Sequence, residues 1–373
     1  MRTVVLVAPY AMQNTLRYVL ALCELEGVRA AVISADAPQR FPASVRERLA
    51  AFETVANCFD GHALAAAIKR IGARIGAVER VLGVLEQLQV PIALARDLAG
   101  VPGMGSAVVH RFRDKSAMKA ALKAHGVPCA RYIRAEKIAD ALALVDVVGY
   151  PIIVKPVDGL GTRATFRVTN RAELDQAFVL LRPSARNPVQ AEEFLLGSEH
   201  SFETVTINGK HIWSSSTDYL PGPLEVMETP WIQYCVILPR ETEGMARFAD
   251  VNHAALDALG MQTGLSHMEW FLRRDGTVAV NEVGARPPGV NIMPMMGVAH
   301  GIDMTRAWVR LMALDEFTPP PARKRAAGAA FFRGQGKGNR VVAVHGVREA
   351  QEEVGRYVVD AAMPNVGQAR AEG

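Results

Sequence analysis

The chain opens on an uninterrupted apolar run, Val4 to Ala8, whose β-branched residues and lack of alternation predict a strand covered on both faces of a parallel sheet. A helical stretch from about Asn14 to Glu26 follows, ending at Gly27, and Val28 to Ser34 reads as a second strand. This β-α-β start predicts a doubly wound layer. Ala63 to Gly72 is helical, the segments near Arg80–Glu86 and Pro91–Leu94 resume the pattern, and the first domain closes near Pro102-Gly103-Met104-Gly105. A charged helix, Lys115 to His125, then leads to a short buried strand, Tyr150 to Pro156, and a glycine-bearing loop, Asp158-Gly159-Leu160-Gly161-Thr162. Phe166–Val168 reads as strand, Arg171–Leu181 as helix, and the polar stretch Arg182 to Pro188 as a loop or hinge. Strands are expected around Gln190–Leu195, Ser201–Ile207 and His211–Ser215, and a helix from about Met245 to Leu259. The last clear hairpin spans Gly264 to Val283 and turns at Asp275-Gly276. The final forty residues mix short strands with Gly-rich turns.

With 373 residues, half of them hydrophobic, the chain has material for two or three packed domains. A net charge of +4, with no block of Lys and Arg to concentrate it, suits anionic small molecules and argues against nucleic acid. Cys23, Cys58, Cys129 and Cys235 have no metal-finger or CxxC spacing and read as small buried hydrophobes in a reducing compartment. The first residues lack a signal-peptide pattern and no apolar window is long enough to span a bilayer, so the expected location is the cytoplasm.

Three segments carry chemistry. In the hairpin, a two-residue turn at Asp275-Gly276 pairs Arg274 with Thr277, and the same register sets Glu269 opposite Glu282. Directly opposed residues share a face with Cβ atoms about 4.5–5.5 Å apart, where like charges repel. A pair of carboxylates so placed suits Mg²⁺, which uses one or two carboxylates plus substrate phosphates. Two unrelated glutamates on an exposed face fit the spacing as well, and a three-residue turn would break the alignment. The second segment is Lys155, at the end of the buried strand and beside the Asp158–Thr162 loop; lysine and loop N–H groups can hold phosphate oxygens, and a solvated turn is the alternative. It is neither a P-loop nor a dinucleotide fingerprint, and Gly334-Gln335-Gly336-Lys337-Gly338 also lacks the P-loop spacing. The third is Gln190 to Glu199, a strand leaving a hinge with acceptors at Glu192 and, seven residues on, at Glu199. They could accept from an adenine amine and ribose hydroxyls; an acidic edge strand is the alternative.

In order and spacing these three segments resemble the ATP-grasp superfamily, carboxylate–amine ligase type, over essentially the whole chain. The resemblance implies a mixed α/β and α+β fold: an N-terminal doubly wound domain (1–110), a small lobe (111–193) and a large lobe (194–373), the two lobes clamping ATP. Residue by residue, Lys115 matches the first nucleotide-binding lysine and Lys155 the second, while Asp158, Gly159, Gly161 and Thr162 match the flexible loop. Glu192 matches the adenine-side glutamate, Phe194 and Leu195 the backbone contact to the ring, and Glu199 the ribose acceptor. Glu269 and Glu282 match the two metal-binding acids, and Arg286 the arginine that steadies the acyl phosphate. The implied cofactors are ATP and Mg²⁺, two ions, with Mn²⁺ able to substitute. One departure stands out. Where many relatives place an asparagine two residues after the second acid, this chain has Gly284; His267, opposite it in the register above, is a candidate to fill the gap, as is a water, and wall packing is the alternative.

The implied reaction is phosphorylation of a carboxylate and transfer of the acyl group to an amine. The run Glu282-Val283-Gly284-Ala285-Arg286-Pro287-Pro288-Gly289 looks more like L-amino acid (dipeptide-forming) ligases than biotin carboxylases. A purine-pathway ligase acting on a ribotide is the alternative, with Arg333 and Lys337 as candidate phosphate contacts; a non-catalytic ATP sensor is the alternative of another class. His267, Arg286 and Trp231 are candidate substrate contacts, and Met293, Met295 and Met296 are either an apolar pocket wall or core. No nucleic-acid or membrane partner is expected, and a homodimer is possible. The ending from Asp360 to Gly373 suggests a shortened C-terminal lobe.

Overall fold

The computed structural model describes residues 1–159, 164–229, 231–242, 244, 248–334 and 338–369. The expected positions of Leu160, Gly161, Thr162, Met245 and Lys337 lie outside them.

The first domain is a parallel sheet of β1 (Arg2–Val7), β2 (Val28–Ser34), β3 (Ala51–Thr54) and β4 (Val78–Leu82), in the order β3-β2-β1-β4. The opening apolar run is buried on both faces, as its lack of alternation predicts. Val4 and Leu6 face helix α1 (Gln13–Cys23), while Val5 and Val7 face α2 (Gly61–Ile75) and α3 (Gln89–Ala99). Helix α1 stops at Cys23 rather than at Glu26, with Gly27 at φ +77° reversing the chain into β2. The strand order changes direction between β1 and β4, and ligands of open α/β sheets sit at the carboxyl ends of strands at such a point. Glu86 follows β4 directly there, in the short 3₁₀ turn Glu86–Leu88.

Helix α4 (Ser106–Arg113), which the sequence pattern left as the tail of the first domain, runs into α5 (Lys115–Ala124). Asp114 caps α5 by accepting from the N–H groups of Ser116 and Ala117. The apolar side of α5, Met118 and Leu122, joins a core with Phe112, Phe202, Trp270 and Val280. A second, antiparallel sheet contains β5 (Tyr132–Ala135), β6 (Ile152–Pro156), β7 (Phe166–Val168) and β8 (Val189–Glu193), in the order β5-β8-β6-β7. Helices α6 (Ile138–Val148) and α7 (Arg171–Leu181) cover one face of it.

The third sheet is antiparallel, in the order β13-β12-β9-β10-β11-β14. Its strands are β9 (Gly197–Ile207), β10 (Lys210–Leu220), β11 (Tyr234–Leu238), β12 (Gly264–Arg273), β13 (Val278–Gly284) and β14 (Ala327–Phe331). Helix α8 (Ala249–Leu259) packs on the face carrying Phe202, Met268 and Trp270. On the other face Val205, Leu265, Val236 and Leu238 meet α9 (Ile292–His300) and α10 (Met304–Leu314), which also contact the first domain. Met293, Met295 and Met296 are buried in that core, which settles their role as packing.

The hairpin corrects one sequence expectation and preserves its consequence. Arg273, not Arg274, pairs with Thr277: the Arg273 N–H donates to the Thr277 carbonyl at 2.8 Å. The loop therefore has three residues, closed by Gly276 N–H to the Arg273 carbonyl (2.9 Å) with Gly276 at φ +81°. That shifts the register by one as far as Trp270–Val280. Asn281 is then bulged out of β13, and from Glu269–Glu282 outward the register is the expected one, with His267 opposite Gly284.

Candidate active site

Lys155 ends β6 almost fully buried, and its ammonium lies 2.5 Å from Glu192 Oε1. Glu192 comes from the neighbouring strand β8, and its second oxygen meets Lys119 Nζ at 3.3 Å and accepts from Gln190 Nε2 at 2.7 Å. Burial opposes ionisation of Glu192, yet Lys119 and Lys155 outweigh it and hold its pKa down at about 2. In Lys155 burial works against the ammonium, but Glu192, then Glu282, push its pKa up. Glu192 is thus a buried counter-ion between two lysines rather than a solvent-facing acceptor. Lys119, wholly buried and also within 3.4 Å of the Val280 carbonyl, was not singled out by sequence. Its spacing four residues after Lys115 on α5 was the available signal.

Lys115 bridges two parts of the cleft. Its N–H donates to the Val157 carbonyl, its ammonium to the Gly159 carbonyl at 3.0 Å, and the same ammonium lies 3.1 Å from Glu282 Oε1. The start of α5 is thereby fixed to the base of the Asp158–Gly159 loop and to the acidic hairpin. Between the second and third sheets run Phe194 and Leu195: the Arg167 guanidinium sits 4.6 Å over the Phe194 ring, and the Leu195 side chain packs with Ala130 and Ala279.

Glu199, Glu269 and Glu282 gather on one face of the third sheet. Glu199 is buried; burial, then the neighbouring Glu269, push its pKa well above the usual carboxylate range, with Lys155 acting the other way. Lys115, Lys155, Arg286 and His267 neutralise part of this acidic face, and the raised pKa of Glu199 marks the crowding of acids that a divalent ion beside them would relieve. Among the described residues no group of three or more His, Cys, Asp and Glu is set as a metal centre. Glu269 and Glu282, directly opposed across β12 and β13, offer hard oxygen donors that suit Mg²⁺ or Mn²⁺, cations that complete their shell with phosphate and water oxygens.

His267 is held from both sides. Its Nδ1–H donates to Glu203 Oε1 at 2.8 Å, and its Nε2 lies 3.5 Å from Glu269 Oε1. Burial disfavours the imidazolium, but these carboxylates push its pKa up to about 9. Arg286, 21% exposed, is tied to the first domain: Nε and Nη2 donate to Glu86 Oε2 at 3.1 and 2.6 Å. Arg113 pairs with the other oxygen of Glu86 and donates to the Asp158 carbonyl at 2.8 Å. Glu86 was missed by sequence, and no local signal marks it. Trp231 stands 65% exposed between the short helix Pro223–Glu228 and β11, and Arg333 donates to the carbonyls of Val226 and Thr229 at 2.6 and 3.0 Å.

Residues 120–290 match a family model described as the ATP-grasp domain. That stretch, a little under half of the chain, is similar to the ATP-grasp domain. Its span takes in Lys155, the glycine-bearing loop, Glu192, Glu199 and the Glu269–Glu282 hairpin, and the sequence resemblance to that superfamily is upheld. An L-arginine-specific L-amino acid ligase of Bacillus subtilis is 24% identical over 236 residues, covering 62% of this chain and 57% of that protein. The carbamoyl phosphate synthase large chain of Kineococcus radiotolerans is 28% identical over 247 residues, 62% of this chain but 21% of its own length. This chain thus spans under three fifths of either relative. Among solved structures, an L-amino acid ligase from Bacillus licheniformis superposes with a TM-score of 0.72 at 21% identity, covering 94% of this chain and 85% of that one. That likeness extends the shared fold across nearly the whole chain, first domain included. No helix among the described residues is long and apolar enough to cross a membrane.

Proposed function

We propose that this protein is an ATP-dependent ligase that joins a carboxylate to an amine through an acyl phosphate, with amino acids as its substrates. The observation that carries the reading is one cluster of Lys115, Lys155, the opposed pair Glu269–Glu282 and, beside them, Arg286 on its Glu86 tether. A pure nucleotide sensor has little use for the last three. The proposed partition is a first domain over 1–110, a small lobe over 111–193 and a large lobe over 194–373.

In this reading Phe194 and Leu195 offer main-chain groups to adenine, Glu192 borders the base, and Glu199 accepts from the ribose. Asp158, Gly159, Gly161 and Thr162 close over the phosphates that Lys115 and Lys155 hold. The substrate carboxylate attacks the γ-phosphorus as the bond to ADP breaks. Lys155 offsets charge on the transferred phosphoryl group. A divalent cation at Glu269 and Glu282, Mg²⁺ or Mn²⁺ and by family habit two ions, supplies further charge neutralisation there. The amine then attacks the acyl carbon, phosphate leaves from it, and the nitrogen loses a proton. Arg286 faces the acyl phosphate, held in place by Glu86. His267 and Trp231 border the substrate. The ribotide alternative is less well supported, since Arg333 is already engaged by two main-chain carbonyls. A cytoplasmic, homodimeric enzyme completes the proposal.

The test is ADP release from Mg-ATP with pooled amino acids and, separately, with ribotides. Amino-acid-dependent release with a product of two substrates minus water supports the reading. Release with ribotides alone would move the protein to the alternative, and nucleotide binding with no turnover would favour a sensor.

A further inference from the structure

Along the face of the third sheet that carries the acids, side chains change character in step across three strands. On β9 the sequence is Glu199, Ser201, Glu203 and then Val205; on β12 it is Glu269, His267 and then Leu265; on β10 it is Tyr219, Thr217, Ser215 and then Trp213. Val205 and Leu265 belong to the apolar core. Glu203 is therefore the last polar residue of its strand before that core, with no exposed surface. It accepts from Ser201 Oγ at 2.7 Å, Thr217 Oγ1 at 3.1 Å and His267 Nδ1 at 2.8 Å. A wholly buried carboxylate is a poor stabiliser compared with apolar residues of the same volume, so its presence calls for another use. The use lies one residue away: His267 Nε2 sits 3.5 Å from Glu269 Oε1 and 3.5 Å from the Tyr219 hydroxyl.

We propose that Glu203 and His267 are a positioning pair that sets the carboxylate of Glu269 for cation binding, His267 itself staying outside the coordination shell. The proposal rests on the metal reading of Glu269 and Glu282 given above. Glu203 fixes the ring through Nδ1, Ser201 and Thr217 fix Glu203, and the ring's other nitrogen faces the oxygen to be oriented.

The experiment measures Mn²⁺ binding to the full-length protein, with and without ADP, by electron paramagnetic resonance, for wild type, Glu203→Gln, His267→Leu and the double variant. Groups that orient metal ligands typically contribute about 10–100-fold to affinity. Each single variant is expected to weaken Mn²⁺ binding by that range while metal-free ADP affinity stays within about twofold. The double variant is expected to bind no worse than the weaker single one, because the two residues act as a unit. Pulsed spectra of the wild-type complex should show no imidazole nitrogen coupled to Mn²⁺. Unchanged Mn²⁺ affinity in Glu203→Gln would overturn the proposal alone, and so would a nitrogen coupling. If His267→Leu does not fold, those two results still decide. Wild-type protein that binds no Mn²⁺ even with ADP would overturn the metal reading as well.

Discussion

Replacing Glu192 by Gln removes one negative charge from between two buried ammonium groups without changing the shape of the side chain. Lys119 has no exposed surface and Lys155 is 7% exposed, so neither can recover hydration by a small rotation. Lys119 is left with the Val280 carbonyl at 3.4 Å, and Lys155 with the more distant influence of Glu282 and Glu269. Removing one partner of a buried ion pair costs about 3–5 kcal/mol, most of it from the charge left behind. With a urea dependence near the upper end of about 1–3 kcal/mol per molar, the transition should move down by about 1 M or more. Lys119→Met alone leaves the Glu192–Lys155 pair at 2.5 Å intact and should cost less. Combined with Glu192→Gln it removes one of the two stranded charges, so the double variant should be more stable than Glu192→Gln alone. Urea unfolding followed by circular dichroism reads all three. A Glu192→Gln transition within about 0.3 M of wild type, or strictly additive losses, would refute the charge-pair argument.

Three further outcomes follow from the same geometry. Glu86→Gln replaces a charged, two-point contact to Arg286 with a weaker one, and a loss of about 1.5–3 kcal/mol at the transition state lowers kcat/KM roughly 10–100-fold, while ADP affinity measured by calorimetry stays unchanged. Because the folded pKa of Glu192 is depressed to about 2, its stabilising contribution is complete above the unfolded carboxylate range and is lost as pH falls through that range toward 2; acid unfolding of Glu192→Gln should therefore be shallower between about pH 4.5 and 2. Gly284→Asn should fold with less than about 1 kcal/mol of change, since a Cβ there meets nothing closer than Arg286 Cγ at 3.6 Å; a melting temperature lowered by more than about 4 °C would show that the space is not available.

How far the sequence reaches depends on whether a signal is local. β1 and β2 were legible because a strand buried on both faces cannot alternate, and the bounds of β7 and α7 fell where Gly, Pro and Asn punctuate the pattern. The hairpin shows the limit. Asp-Gly named the turn, but Asp275 accepts from the N–H and hydroxyl of Thr277, which tightens a three-residue loop instead of a two-residue one. Only the Asn281 bulge, invisible to periodicity, restored the facing of Glu269 and Glu282. Glu86 and Arg286 are 200 residues apart, and nothing near Glu86 distinguishes it from a solvated turn residue. Lys119 reads as one of a row of surface lysines on α5 until β8 and β13 close over it. Glu203 lies inside a strand otherwise suited to a half-buried sheet, and its role depends on hydroxyls from two neighbouring positions and a ring from a third.

The central claim is that a carboxylate is activated by ATP as an acyl phosphate in the cleft of Lys155, Glu269, Glu282 and Arg286. Incubating the protein with Mg-ATP and amino acids carrying ¹⁸O in the carboxyl group, then weighing the released phosphate, tests it directly. The account predicts one ¹⁸O in each phosphate formed during turnover, and no labelled phosphate with Glu282→Gln. Steady ADP release with unlabelled phosphate would contradict it, because the oxygen of the broken bond would then have come from water.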